Sequence, residues 1–75
     1  MSDMLTHLLT IHAAELYDAE FSDDRRVHHL LAQQANVLQR LAEYEQTPPS
    51  FSYFLHTATY TAPDGTTVSD WSIHT

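Results

Sequence analysis

Along the first two-thirds of the chain, apolar residues recur at three- and four-residue steps; after a pair of prolines the pattern changes to short runs rich in aromatic and β-branched residues. The first pattern predicts helices, because that spacing lines side chains along one face of a 3.6-residue turn. Over residues 3–19, Met4, Leu5, Leu8, Leu9, His12, Ala13, Leu16 and Tyr17 form such a stripe. Ser2 is placed to cap that helix, and Asp3 to face the positive end of its dipole. A second helix is expected over about residues 23–46, with Val27, Leu30, Leu31, Gln34, Ala35, Leu38, Leu41, Ala42 and Glu45 in period. Ser22-Asp23-Asp24 supplies a cap followed by acids at its start, and Pro48-Pro49 stops it. Such a helix is about 35 Å long. The short link between the two predicts an antiparallel helical hairpin.

The C-terminal third predicts a β-hairpin, with strands at about 51–61 and 66–74. Ala62-Pro63-Asp64-Gly65 lies between them, and Gly65 is the only glycine of the chain. A proline at the second turn position and a glycine where φ is positive fit a type I turn with a bulge. Pairing Ala62 with Thr66 sets Leu55 opposite Ile73 and Thr57 opposite Trp71, with Tyr53 on that side. Phe54, His56, Ala58, Tyr60, Val68, Asp70 and His74 then share the other face. The Leu55–Trp71–Ile73 face is expected to pack on the helices, since a two-stranded ribbon alone is marginal. The resulting expectation is an α+β fold, a helical hairpin followed by a C-terminal β-hairpin packed on it, in one domain over residues 1–75.

Composition narrows the function. The 75 residues include no cysteine, so no disulfide or thiolate staple supplements a small core. Formal net charge is −7, with Arg25, Arg26 and Arg40 the only strong bases. Phosphate backbones and anionic lipid surfaces are recognised by Lys and Arg, so direct nucleic-acid and membrane binding are not expected. An acidic protein is steered towards basic surfaces instead, including those that hold nucleic acid. The N-terminus lacks the positive segment of a secretory signal, and no apolar run reaches spanning length, which points to the cytoplasm.

Catalytic patterns are sparse. One glycine cannot build a phosphate-cradling loop, and no strained elbow holds a serine beside a base. Six histidines invite a search for metal ligands. His7 and His12 diverge around a helix, and His28 and His29 point roughly 100° apart. His56, Asp70 and His74, on one hairpin face, form the best metal-like group, but neither cysteine nor a histidine pair at zinc spacing supports it. No cofactor is expected. Leu5-Thr6-His7-Leu8-Leu9 matches an LxxLL groove-binding pattern, which any leucine-rich amphipathic helix supplies.

Two features suggest a protein partner. Glu15, Asp18, Glu20, Asp23 and Asp24 fall around the helix–helix corner, either as a solvated corner or as an acidic knob for a basic surface. Five aromatics (Phe51, Tyr53, Phe54, Tyr60 and Trp71) exceed what one face of a short hairpin buries, so either both faces are buried, one by the helices and one by the linker, or an aromatic face or sheet edge is left for a partner. The expectation is a non-enzymatic protein that binds and modulates, by inhibition, a larger cytosolic nucleic-acid-processing protein. Phage-encoded inhibitors of RNA polymerase, CRISPR or restriction enzymes share this size and charge, and the comparison extends no further. Asp18, Glu20, Asp23 and Asp24, with Glu15, would steer; Tyr53, Tyr60 and Trp71 would anchor. A homo-oligomeric accessory subunit, in the simplest case a homodimer, is the alternative, followed by a metal- or pH-responsive regulator using His56, Asp70 and His74.

Overall fold

The computed structural model describes residues 3–47 and 52–75. Helix α1 spans Asp3–Asp18 and α2 spans Arg25–Glu45, followed by strands β1 (Phe54–Thr61) and β2 (Thr67–His74). The two strands form one antiparallel sheet, which packs against the helices. The expected α+β arrangement is therefore the one observed. The expected cap at Ser2, the helix stop at Pro48-Pro49 and the strand start at Phe51 lie outside the described residues.

Helix α2 starts at Arg25 because Asp24 caps it: its extended backbone lets Oδ1 accept the Arg26 N–H at 2.8 Å. Ser22 takes a different part. Its hydroxyl donates to Asp64 in the hairpin turn at 2.7 Å and accepts the Asp24 N–H at 3.2 Å. The buried face of α2 is formed by Val27, Leu30, Leu31, Gln34, Val37, Leu38 and Leu41. Helix α1 crosses back along it, with His12 bonded to Gln34 and Glu15 also reaching Gln34.

The hairpin register is the expected one, with Leu55 opposite Ile73 and Thr57 opposite Trp71. Gly65 has φ +90°, and its N–H donates to the Ala62 carbonyl at 2.9 Å, while the Ala62 N–H reaches Thr66 O at 2.7 Å. That closing pair sets the phase of the ladder. Even-numbered residues of β1 exchange backbone bonds with β2, and the odd-numbered residues of both strands turn theirs outward.

The core has two halves. Leu8, Val37, Leu38, Leu41, Trp71 and Ile73 form one, with Leu5, Ile11, Tyr44, Tyr53 and Leu55 packed around it. Ala19, Val27, Leu30, Leu31, Ala62 and Val68 form the other, beside Tyr60. Val68 and Trp71 belong to opposite faces of β2, yet both are buried. One flat face laid on the helices cannot do this. Between these residues β2 turns its edge to the helices: the Ser69 N–H donates to Glu15 Oε2, and the Ser69 carbonyl accepts from Gln34 Nε2. Side chains on both sides of that edge are then covered, and β1 is left on the outside. The Leu55–Trp71–Ile73 face meets the helices as expected, and Val68 on the opposite face is covered as well.

Candidate protein-binding surface

Helix α1 carries the largest departure from the expected stripe. Its buried line runs through Leu8 and Glu15, flanked by half-buried Leu5, Ile11 and His12. Met4, Leu9, Ala13, Leu16 and Tyr17, read from the sequence as core, are exposed. Glu15 explains the rotation. A carboxylate in a core position makes the true buried face look like a polar boundary, so periodicity picks out the neighbouring run of apolar residues instead. Leu8 of the LxxLL pattern is buried while Leu9 is exposed, so the three leucines do not present together.

Between the helices lies a groove of about 360 Å³, lined by Leu5, Leu9 and His12 from α1 and by Ala35, Leu38, Gln39 and Ala42 from α2. The small alanines of α2 and the leucine ridge of α1 make this groove largely apolar. Leu16 and Tyr17 lie on exposed faces further along α1, and Phe21 follows in the corner at 86% exposure. The signal for these positions was in the sequence. Apolar residues occupy more of the circumference of α1 than one core stripe can use, and Phe21 stands among acids in no helical period.

The acidic corner is partly structural. Glu15 is buried and bonded to Ser69 and Gln34, so it is withdrawn from any surface knob. Asp24 is occupied on both oxygens, by the Arg26 N–H and by the Tyr60 hydroxyl at 2.9 Å. Asp18, Glu20 and Asp23 are exposed. Asp64, which sequence reasoning had treated only as a turn residue, joins them. With Asp18, Gly65, Thr66 and Thr67 it lines a polar depression of about 470 Å³ beside the corner. Its carboxyl pKa is held below the ordinary aspartate value by the Thr66 N–H and the Ser22 hydroxyl.

The expected aromatic anchors sit inside the fold. Trp71 is 3% exposed, in the core and against the His12 ring. Tyr53 is half-buried and stacks on Tyr44 at 5.9 Å; burial, then the nearby Glu45 carboxylate, raises its pKa. Tyr60 is half-buried under the Arg26 guanidinium, 4.7 Å from its ring centre. The bond to Asp24 raises its pKa first, assisted by desolvation and by the Asp24 charge. Among the described residues, the exposed aromatics are Tyr17, Phe21 and Phe54 instead.

His56 and His74 come within 6.5 Å, and Phe54 stacks on His74 at 5.0 Å. Asp70, opposite Ala58 in the register, lines a third depression of about 400 Å³ with Gln33, Asn36, Arg40 and Trp71 among others. Among the described residues, no three His, Asp or Glu side chains converge closely enough to hold a metal ion, so the His56–Asp70–His74 group does not assemble. No helix among them is long and apolar enough to cross a membrane. Comparison with protein-family models, with curated proteins and with solved structures finds no match to this chain.

Proposed function

We propose that this chain is a non-catalytic binding protein that docks on, and modulates, a larger protein with a basic surface of the kind used to process nucleic acid. One observation carries the reading. Helix α1 sends a carboxylate into the core while leaving Leu9, Leu16 and Tyr17 in water, the last at 75% exposure. A contiguous exposed apolar patch beside a groove is the kind of surface that marks an interaction site. The groove takes an apolar helix face or a row of apolar side chains. The exposed acids Asp18, Glu20 and Asp23 lie at the end of α1 and favour an approach from a positive surface.

Affinity capture from the native host lysate, with the partner identified by mass spectrometry, is the test. Leu9→Asp with Leu16→Asp should abolish capture, and Asp18→Lys with Asp23→Lys should weaken it, both with unchanged circular dichroism. Capture undiminished by either pair would overturn the reading.

A further inference from the structure

The two edges of the hairpin are treated differently. On β2, the outward-facing peptide groups at Ser69 are closed by Glu15 and Gln34, two buried polar side chains. On β1, the ladder phase turns the backbone N–H and C=O of Leu55, Thr57, Thr59 and Thr61 away from β2. No side chain among the described residues meets these groups. Strand edges are ordinarily blunted by charge, proline or a bulge. Strand β1 has none of these: its register is unbroken over all eight residues, and no formally charged residue occurs between Glu45 and Asp64.

We infer that β1 is the docking strand for a second copy of this chain, pairing antiparallel across a two-fold axis at Ala58 to make a continuous four-stranded sheet. Three features select a second copy. The outward-facing groups run from Leu55 to Thr61 and are therefore centred on Ala58. Pairing Leu55 with Thr61 and Thr57 with Thr59 of the other copy, in both directions, satisfies all of them at once. Charge selects the direction. β1 ends beside the acidic corner, to which the turn is tied through Ser22 and Asp64. Antiparallel pairing sends the two corners to opposite ends of the dimer, whereas parallel pairing would bring two acidic ends together. The contact itself is uncharged, so a protein of net charge −7 brings no carboxylate of β1 against its twin. Finally, a ribbon of two strands gains from becoming four.

Ala58 is exposed, and on the axis it meets its own counterpart at the close, non-hydrogen-bonded spacing. Sedimentation of the full-length chain from micromolar to near-millimolar concentration should show a dimer. Ala58→Asp should weaken self-association by about tenfold or more, through like charges directly opposed. Ala58→Lys, which faces Asp70 within its own hairpin, should do the same without loss of fold. Mixing the two variants should restore a heterodimer. Amide hydrogen exchange gives the footprint: the N–H groups of Leu55, Thr57, Thr59 and Thr61 should be protected in the wild-type dimer and exposed in Ala58→Asp. Leu9→Asp, which removes the groove contact proposed above, should leave the dimer intact, so the two proposals fail separately. A wild-type monomer at every concentration overturns the inference. So does a dimer that survives both Ala58 variants, one that Leu9→Asp dissociates, or one in which those four amides exchange freely.

Discussion

Gln34 is fully buried, and its amide has only one orientation that satisfies its neighbours. Glu15 Oε1 and the Ser69 carbonyl can only accept, so the amide nitrogen faces them. The amide oxygen then faces His12 at 2.6 Å, and His12 must donate from Nδ1. One side chain thus ties α1, α2 and β2 together and fixes an imidazole tautomer. Glu15→Ala and Gln34→Ala should each cost about 1–3 kcal/mol, because each leaves a part-buried backbone group of Ser69 unpaired. Since the two side chains serve the same residue and bond each other, the double variant should lose less than the sum of the singles, as read by urea unfolding in a double-mutant cycle. The sequence showed Gln34 as a lone polar residue in an apolar stripe, but not what it was for. Its partners lie 19, 22 and 35 positions away, and no local pattern encodes such distances.

At the scale of elements, the corner and the hairpin turn are held by two side-chain clasps, Ser22 to Asp64 and Tyr60 to Asp24. They respond to pH in opposite directions. Asp64 has a lowered pKa in the folded chain, so its contribution is present above the ordinary aspartate range and is lost as pH falls through the lowered value. Tyr60 has a raised pKa, so its contribution is present below the ordinary tyrosine value, about 10, and is lost as pH rises through the raised one. Thermal melts of Asp64→Asn should fall below wild type at neutral pH and converge with it in strong acid. Those of Tyr60→Phe should fall below at neutral pH and converge in strong alkali. The register of the hairpin was legible to the residue, because a turn with one glycine at a positive-φ position fixes it by geometry, while β1 starts at Phe54 and β2 at Thr67, inside the expected bounds. Burial on both faces of β2 was one of two readings that the aromatics left open, and the way both are covered was not legible. Alternation along a strand reports a face, and here the contact is made through an edge at Ser69.

At the scale of the molecule, the chain extends over 43 × 19 × 14 Å, with the helix corner and the hairpin turn at the same end. Asp18, Glu20, Asp23 and Asp64 therefore share one pole, although Asp64 is far from the others in sequence. A charged pole on an elongated body orients the molecule before contact. The association rate with the captured partner should fall about tenfold between roughly 0.05 and 0.5 M salt. Asp18→Lys with Asp23→Lys should flatten that dependence while dissociation changes less, as stopped-flow mixing at several ionic strengths would show. The negative sign of this pole was plain from composition. Its position was only half visible, because the contribution of the turn depends on the tertiary bond to Ser22.

The bond from the Ser69 N–H to Glu15 spans 54 positions of the chain. During synthesis from the N-terminus, α1 and α2 emerge long before the strand that completes them. Until β2 has left the ribosome, Glu15 and Gln34 lack the Ser69 backbone groups that they bond, and Leu8 and Leu41 lack Trp71 and Ile73. The nascent helical hairpin must therefore wait, half-finished and apolar, until β2 has been translated.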